Sequence, residues 1–280
     1  MSEGMNRSPD IISIEPRQSF LNGWIELFQN RELLYFFVWR DLIVRYKQTA
    51  IGMLWLALRP AMFTAILYFV FSSVDRFRGH SDAPYYLVIL CGIVPWFYFS
   101  SLVSEASNVL VSESSLISKV YFPRIMLPLV SVLTNLVDLT LLVIFVAVIA
   151  FLSGVGPSWR LLAIVPLLLA CAAAGAGLGM ALSILTARYR DFRFLTAFIL
   201  QAGLFLSPVI YTTQGMIPEK AQLIYFMNPM AGIIEGLRWA LLDLPVPGTM
   251  IAVSMMMAIL MLVAGILLFK ALERDIADIV

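Results

Sequence analysis

RDLIVRYKQTAIGMLWLALRP, residues 40–60, changes character halfway through. Arg40, Asp41, Arg45 and Lys47 crowd its first eight residues, and the remainder carries almost nothing polar except Arg59, followed by Pro60. Such a cluster leading straight into an apolar run marks the edge of a membrane span, with Trp55 near the lipid headgroups, where aromatic belts form.

The rest of the chain has the same composition. Hydrophobic residues make up 61% of the 280 and charged residues only 13%, with a mean hydropathy of +0.90. A soluble domain has about a quarter of its residues charged. A bilayer crossing needs roughly 20 mostly apolar residues, and six segments qualify: 50–74, 83–104, 125–152, 161–187, 194–211 and 249–269. Arg59 interrupts the first and Asp138 the third. A seventh apolar piece, 217–242, is broken by Glu219, Lys220, Glu235 and Arg238 and is too interrupted to span. The expected fold is an all-α integral membrane protein with six transmembrane helices.

Short loops rich in Lys and Arg stay cytoplasmic. With the N-terminus inside, Arg7, Arg17, Arg31, Arg40, Arg45, Lys47, Arg59, Lys119, Arg124, Arg188, Arg190, Arg193, Lys270 and Arg274 fall on the cytoplasmic side. Only Arg76, Arg78, Arg160, Lys220 and Arg238 fall on the other, so both termini are expected in the cytoplasm. The net charge of +1 carries no information without this sidedness. The polar, charged beginning of the chain does not resemble a cleavable signal.

Residues 1–18 read as a flexible cytoplasmic tail, 19–49 as an interfacial and cytoplasmic helical region, and 50–280 as the six-span domain. Phe20, Leu21, Trp24, Ile25 and Phe28 recur at helical spacing between Asn22, Glu26 and Gln29, the pattern of an amphipathic helix lying along the membrane surface. Between the second and third spans, VSESSLISKVYFPR predicts a short helix capped by Ser112 and running to about Val120, where Pro123 ends it or starts the next. Region 212–248 is rich in Pro and Gly amid apolar residues. Because irregular backbone at membrane depth survives only inside protein or beside water, it reads as short re-entrant helices on the external side before the last span. Gly175 and Gly179 form a G-x-x-x-G pair that lets another helix of the same bundle approach closely.

The chemistry-bearing residues are few. No G-x-x-x-x-G-K-[ST] is present, so this chain does not cradle nucleotide phosphates by that route. His80 stands alone in a predicted loop, and Cys91 and Cys171 lie in separate spans without metal-ligand spacing, so no metal site is expected. Ser131, Asn135 and Asp138 fall on one helical stripe, which either lines a pathway for a polar substrate or pairs helices together. Ser101, Ser104, Glu105 and Asn108 form a second stripe, read as structural. Trp96, Phe97, Tyr98 and Phe99 suit an interfacial belt, with stacking on sugar rings as the alternative.

In their joint order, several pieces resemble the transmembrane subunits of ABC-2-type exporters of lipid-linked polysaccharides. These are RDLIVRYKQTAIGMLWLALRP (40–60), SESSLISKVYFPRIMLPL (112–129), ARYRDFRF (187–194), SPVIYTTQGMIP (207–218), NPMAGIIEGLRWALL (228–242) and FKALERDIADIV (269–280). The resemblance implies a homodimer in the cytoplasmic (inner) membrane, paired with two copies of a cytoplasmic ATPase that binds ATP and Mg. This chain would then need no cofactor, carry out no covalent chemistry and bind no nucleic acid. The cargo implied is O-antigen, with capsular polysaccharide, teichoic acid or another lipid or drug as alternatives. By position, the ATPase-contact residues are Ser112, Glu113, Ser115, Leu116, Lys119 and Tyr121, with Arg40, Asp41 and Arg45 beside them. The channel or gate residues are Asp138, Asn135, Trp96, Tyr98, Asn228, Pro229, Glu235 and Arg238, and the i, i+3 pair Glu235 and Arg238 is expected to stabilise an external gate. A membrane enzyme would show convergent catalytic groups, and an ion-coupled carrier would show inverted repeats; the chain displays neither pattern.

Overall fold

A computed structural model describes residues 29–47, 54–74, 83–120, 122–156, 158–214, 216–245 and 248–279, with side chains to 273. The expected tail, nearly all of the expected surface helix at 20–29, His80 and Tyr121 lie outside the described residues.

All regular structure among the described residues is helical. In chain order the helices are α1 (Arg31–Lys47), α2 (Leu54–Phe71), α3 (Tyr85–Ser112), α4 (Ser114–Ile117), α5 (Met126–Leu152), α6 (Ile164–Arg188), α7 (Phe192–Leu206), α8 (Glu219–Phe226), α9 (Pro229–Leu242) and α10 (Gly248–Ile279), with a 3₁₀ turn at Trp159–Ala163 before α6. Five helical stretches are long and apolar enough to cross a bilayer: Leu54–Phe71, Tyr85–Ser112, Met126–Leu152, Trp159–Arg188 and Gly248–Glu273. They match five of the six expected spans. The other, expected at 194–211, is the 15-residue helix α7. At about 1.5 Å per residue it covers roughly 22 Å of the ~30 Å hydrocarbon thickness. It stops because Pro208 disfavours helical geometry at Ser207, which is extended at φ −101° and ψ 152°. The interrupted piece at 217–242 forms two short helices, α8 and α9.

The expected 112–120 helix is shorter than its sequence suggests. Ser112 is the last residue of α3, its Oγ donates back to the Val109 carbonyl at 3.1 Å, and α4 has four residues with no side-chain cap. Pro123 belongs to the following turn, where its carbonyl accepts the Met126 amide at 2.9 Å.

Helix α3 is the centre of the bundle, with 18 of its 28 residues buried. On α6, Gly175 and Gly179 face α3 of the same chain: a Cβ at Gly175 would stand 2.7 Å from Leu102, and one at Gly179 2.7 Å from Ala106. Gly177, on another face of α6, meets α10 backbone to backbone, since a Cβ there would fall 2.2 Å from the Met261 carbonyl oxygen. Gly265 of α10 is equally close to the Gly177 carbonyl. These crossings follow the small-residue rule for helices in lipid.

Near the Lys/Arg-rich end a second apolar cluster forms around Phe37, Leu110, Phe122, Met126, Met180 and Phe269. Phe37 docks α1 there, edge-on to Phe122 with ring centroids 5.8 Å apart. Outward faces remain apolar: Phe69 is 84% exposed, Leu152 78% and Phe194 76%, the surface that lipid tails cover.

Candidate functional site

Two polar assemblies, one near each end of the bundle, collect most of the residues singled out in the sequence. The first joins α1 to α3 and α5. Arg45 donates from Nη2 to Glu105 Oε2 at 2.7 Å and from Nη1 to Asp138 Oδ2, while the Tyr46 hydroxyl donates to Asp138 Oδ1. Asn135 donates to Glu105 Oε2 at 2.6 Å, and Ser101 to Glu105 Oε1 at 3.1 Å. The two sequence stripes, on α5 and α3, therefore meet across the bundle. Asp138, buried in the middle of α5, is an intramembrane acid whose charge is offset by a guanidinium from outside the spans, as the expense of burying it requires.

One turn back along α1, Arg40 pairs with Asp41 at 2.9 Å and with Glu113 at 2.9 Å. Burial opposes the Arg40 charge, but the hydrogen bonds and charges of Asp41 and Glu113 outweigh it and hold the guanidinium above its ordinary range. Glu113 lies at the α3–α4 junction, so α1 is tied to the segment expected to touch the ATPase. Ser115 and Lys119 are exposed there, and Leu116 packs on the second apolar cluster. Arg193, at the start of α7, donates to Asn108 of α3 at 2.9 Å.

The second assembly is built around Arg238, which is fully buried. Beyond α7 the described residues between Ser207 and Pro218 are not helical, and their backbone groups need partners because neither lipid nor a helix ladder supplies them. Arg238 supplies several. Nη2 donates to the Val209 carbonyl at 2.9 Å, Nη1 to that of Tyr211 at 2.8 Å, and Nε to that of Val88 on α3 at 3.1 Å. The Tyr85 hydroxyl donates to the Ile210 carbonyl at 2.9 Å, and Glu235 Oε1 accepts the Thr213 amide at 2.8 Å. The expected Glu235 and Arg238 pair is present at 3.3 Å, longer than the Arg238 bonds to carbonyls. Its larger role is to hold an irregular segment against α3, and Gly92 allows the approach: a Cβ there would lie 2.6 Å from the Val209 carbonyl oxygen.

Asn228 is the N-cap of α9, accepting the Met230 amide at 3.0 Å, with Pro229 at the first helical turn, where its missing N–H costs nothing. Its Nδ2 reaches Ser207 Oγ at 2.9 Å and so ties α9 to the end of α7. Ser254 of α10, buried, donates to the Phe226 carbonyl at 2.6 Å and accepts the Gly232 amide at 3.1 Å. Trp96 is buried over Gly203 of α7 and borders a cavity of ≈ 380 Å³ with Tyr225, Asn228 and Pro229. Tyr98 is buried in α3 and lines a different cavity, beside the Arg45 network.

Sequence reasoning grouped Asn228, Pro229, Glu235 and Arg238 together and Asn135 with Asp138. It missed Tyr46 and Ser254, which carry no motif, and the pairing of Arg45 with an acid 93 positions away. A charge at one end of a helix and an unpaired acid inside a span were the available signals.

A family model described as "ABC-2 type transporter" matches residues 32–242. Among curated proteins, an "O-antigen export system permease protein RfbA" of Klebsiella pneumoniae is 30% identical over 258 residues, covering 89% of this chain and 95% of the relative. A protein of the same description from Myxococcus xanthus is 28% identical over 210 residues, covering 75% and 80%. A second Klebsiella pneumoniae protein so described is 26% identical over 253 residues, covering 89% and 95%.

Proposed function

This chain belongs to the ABC-2 type transporter family as a membrane-spanning transport subunit, and we propose that it is the channel-forming subunit of an ATP-driven exporter of O-antigen. The observation that carries the reading is the likeness to O-antigen export permeases along nearly their whole length. The cargo is a polysaccharide on a lipid anchor, taken up on the cytoplasmic face of the inner membrane and released on the other. Two copies of the chain enclose the path, and two copies of a separate ATPase, which binds ATP and Mg, drive its opening. Both termini are cytoplasmic.

The two assemblies suit this division of labour. Glu113, Ser115, Leu116 and Lys119 lie where the ATPase docks, and Arg40 and Arg45 carry its movement into α3 and α5 through Glu113, Glu105 and Asp138. Asn228, Pro229, Glu235 and Arg238 brace the 207–218 segment at the external gate.

Co-reconstitution with the partner ATPase in vesicles loaded with lipid-linked O-antigen tests the reading. The expected result is translocation that requires ATP and both subunits. Translocation by the isolated chain, or equal handling of a lipid-linked capsular polymer and O-antigen, overturns it.

A further inference from the structure

A cavity of ≈ 230 Å³ lies between the end of α1 and helices α2, α3 and α5. Among the described residues that line it are two cations, Arg45 and Arg59, and two acids, Glu105 and Asp138. The charges balance, yet only one arginine is paired. Arg45 holds both carboxylates. Arg59 rests with its guanidinium over the Phe97 ring, 4.9 Å from the centroid, and pairs with no acid among the described residues.

The two arginines come from elements of different kinds. Arg45 stands on α1, of which this chain buries only Phe37 and which it holds otherwise through the charged contacts of Arg40 and Arg45. Arg59 stands on α2, a span. Withdrawing one partner of a buried ion pair is costly because it leaves a bare charge behind. Glu105 and Asp138 therefore oppose any displacement of α1 unless another cation reaches them. We infer that Arg59 is that cation: a standby counter-ion that takes over Glu105 and Asp138 when α1 carries Arg45 away, so that the cavity is neutral with α1 docked or released.

Helix α3 sets the reach. Phe97, Ser101 and Glu105 are spaced i, i+4 and i+8 and share one face of it. The Glu105 side chain folds back along that face, and its Oε1, the oxygen that Arg45 leaves free, accepts from Ser101 at 3.1 Å. One turn, ~6 Å of rise, separates the residue under Arg59 from the serine that touches the carboxylate. Rotation of the long Arg59 side chain off the ring spans that distance. A guanidinium that reaches Glu105 also meets Asp138, because Arg45 bridges the same two acids with one guanidinium. While Arg45 is in place it neutralises the acids and repels a second cation, so the ring is the better resting place. Once Arg45 leaves, a charge-assisted bond to carboxylate is stronger than the stacking given up.

The purified full-length chain in non-ionic detergent supplies two readouts. In thermal melting, Arg59→Gln is expected to stay near wild type and Arg45→Gln to fall. The double variant is expected to fall by clearly more than the sum of the two shifts, since it alone leaves both acids without a cation. A double variant that aggregates while both single variants fold is the same result in its extreme form. Contact is read by carbodiimide coupling, which joins an amine to a carboxylate it touches with loss of water. In Arg59→Lys combined with Arg45→Gln, peptide mapping is expected to find position 59 joined to Glu105 or Asp138. Arg59→Lys with Arg45 in place is expected to give little of that product. Additive melting shifts, an Arg45→Gln protein that does not fold although Arg59 is present, no coupling in the combined variant, or equal coupling with and without Arg45 overturns the inference. No export is measured, so failure here leaves the cargo reading untouched.

Discussion

Arg45 reaches two carboxylates on two different helices, and among the described residues no other cation pairs with either acid. Asp138 is only 10% exposed at its side chain, whereas Glu105 is 38% exposed, so the arginine is worth more to the first than to the second. Removing one partner of a charged hydrogen bond costs about 1.5–3 kcal/mol. Asp138→Asn and Arg45→Gln should each lower thermal stability in detergent by that order, and the double variant by clearly less than the sum. Strict additivity in the melting data would show that the pair contributes nothing jointly. Arg238 has no exposed surface at all. Arg238→Met strands the buried Glu235 carboxylate and the Val209, Tyr211 and Val88 carbonyls, a loss of about 3–5 kcal/mol. Glu235→Gln keeps an acceptor for the Thr213 amide and should cost less. If chemical denaturation ranks the two variants the other way, the arginine is not the principal brace of the 207–213 segment.

Helices α6 and α10 cross where Gly177 and Gly265 place backbone on backbone. Gly177→Leu forces the helices apart, at a cost beyond the 1–3 kcal/mol of ordinary overpacking because a backbone and not a side chain must move. A folded, monodisperse Gly177→Leu protein with an unchanged melting temperature would contradict this crossing. Asn228→Ala removes the α9 cap and the bond to Ser207 together, so its loss should exceed the ~1 kcal/mol of a single cap. The bounds of α5 and α6 were readable to within a few residues, whereas α3 and α10 run eight and ten residues past their expected ends at 104 and 269. Bounds were not readable where two rules competed: α7 is apolar through residue 206 yet ends before a proline, and Ser112, expected to cap the short helix, ends α3 instead. The pairing inside 217–242 was legible as an i, i+3 spacing, although the spacing carried no hint that Arg238 would face backbone carbonyls.

At the scale of the molecule, the basic residues at one end and the short helices α8 and α9 at the other define two faces, and the proposed orientation makes them separately testable. Cys91 and Cys171 are buried, so the native thiols give little background to a membrane-impermeant maleimide. Ser115→Cys should be labelled only from the side that holds the ATPase, and Glu219→Cys only from the opposite side. Labelling of both from one side would refute the topology.

Composition and the alternation of charged and apolar stretches were sufficient to establish a helical membrane protein and most of its spans, because the bilayer acts on each segment independently and its penalty is written in local hydropathy. The order of the short motifs was sufficient for the family. Only the tertiary structure decided that Arg45 neutralises Asp138, that Arg238 completes the hydrogen bonding of an unwound stretch, and that Arg59 is left facing a cavity. Those outcomes depend on which helix faces meet across 27 to 150 positions of sequence, and such meetings are set by packing rather than by any local preference of the residues involved.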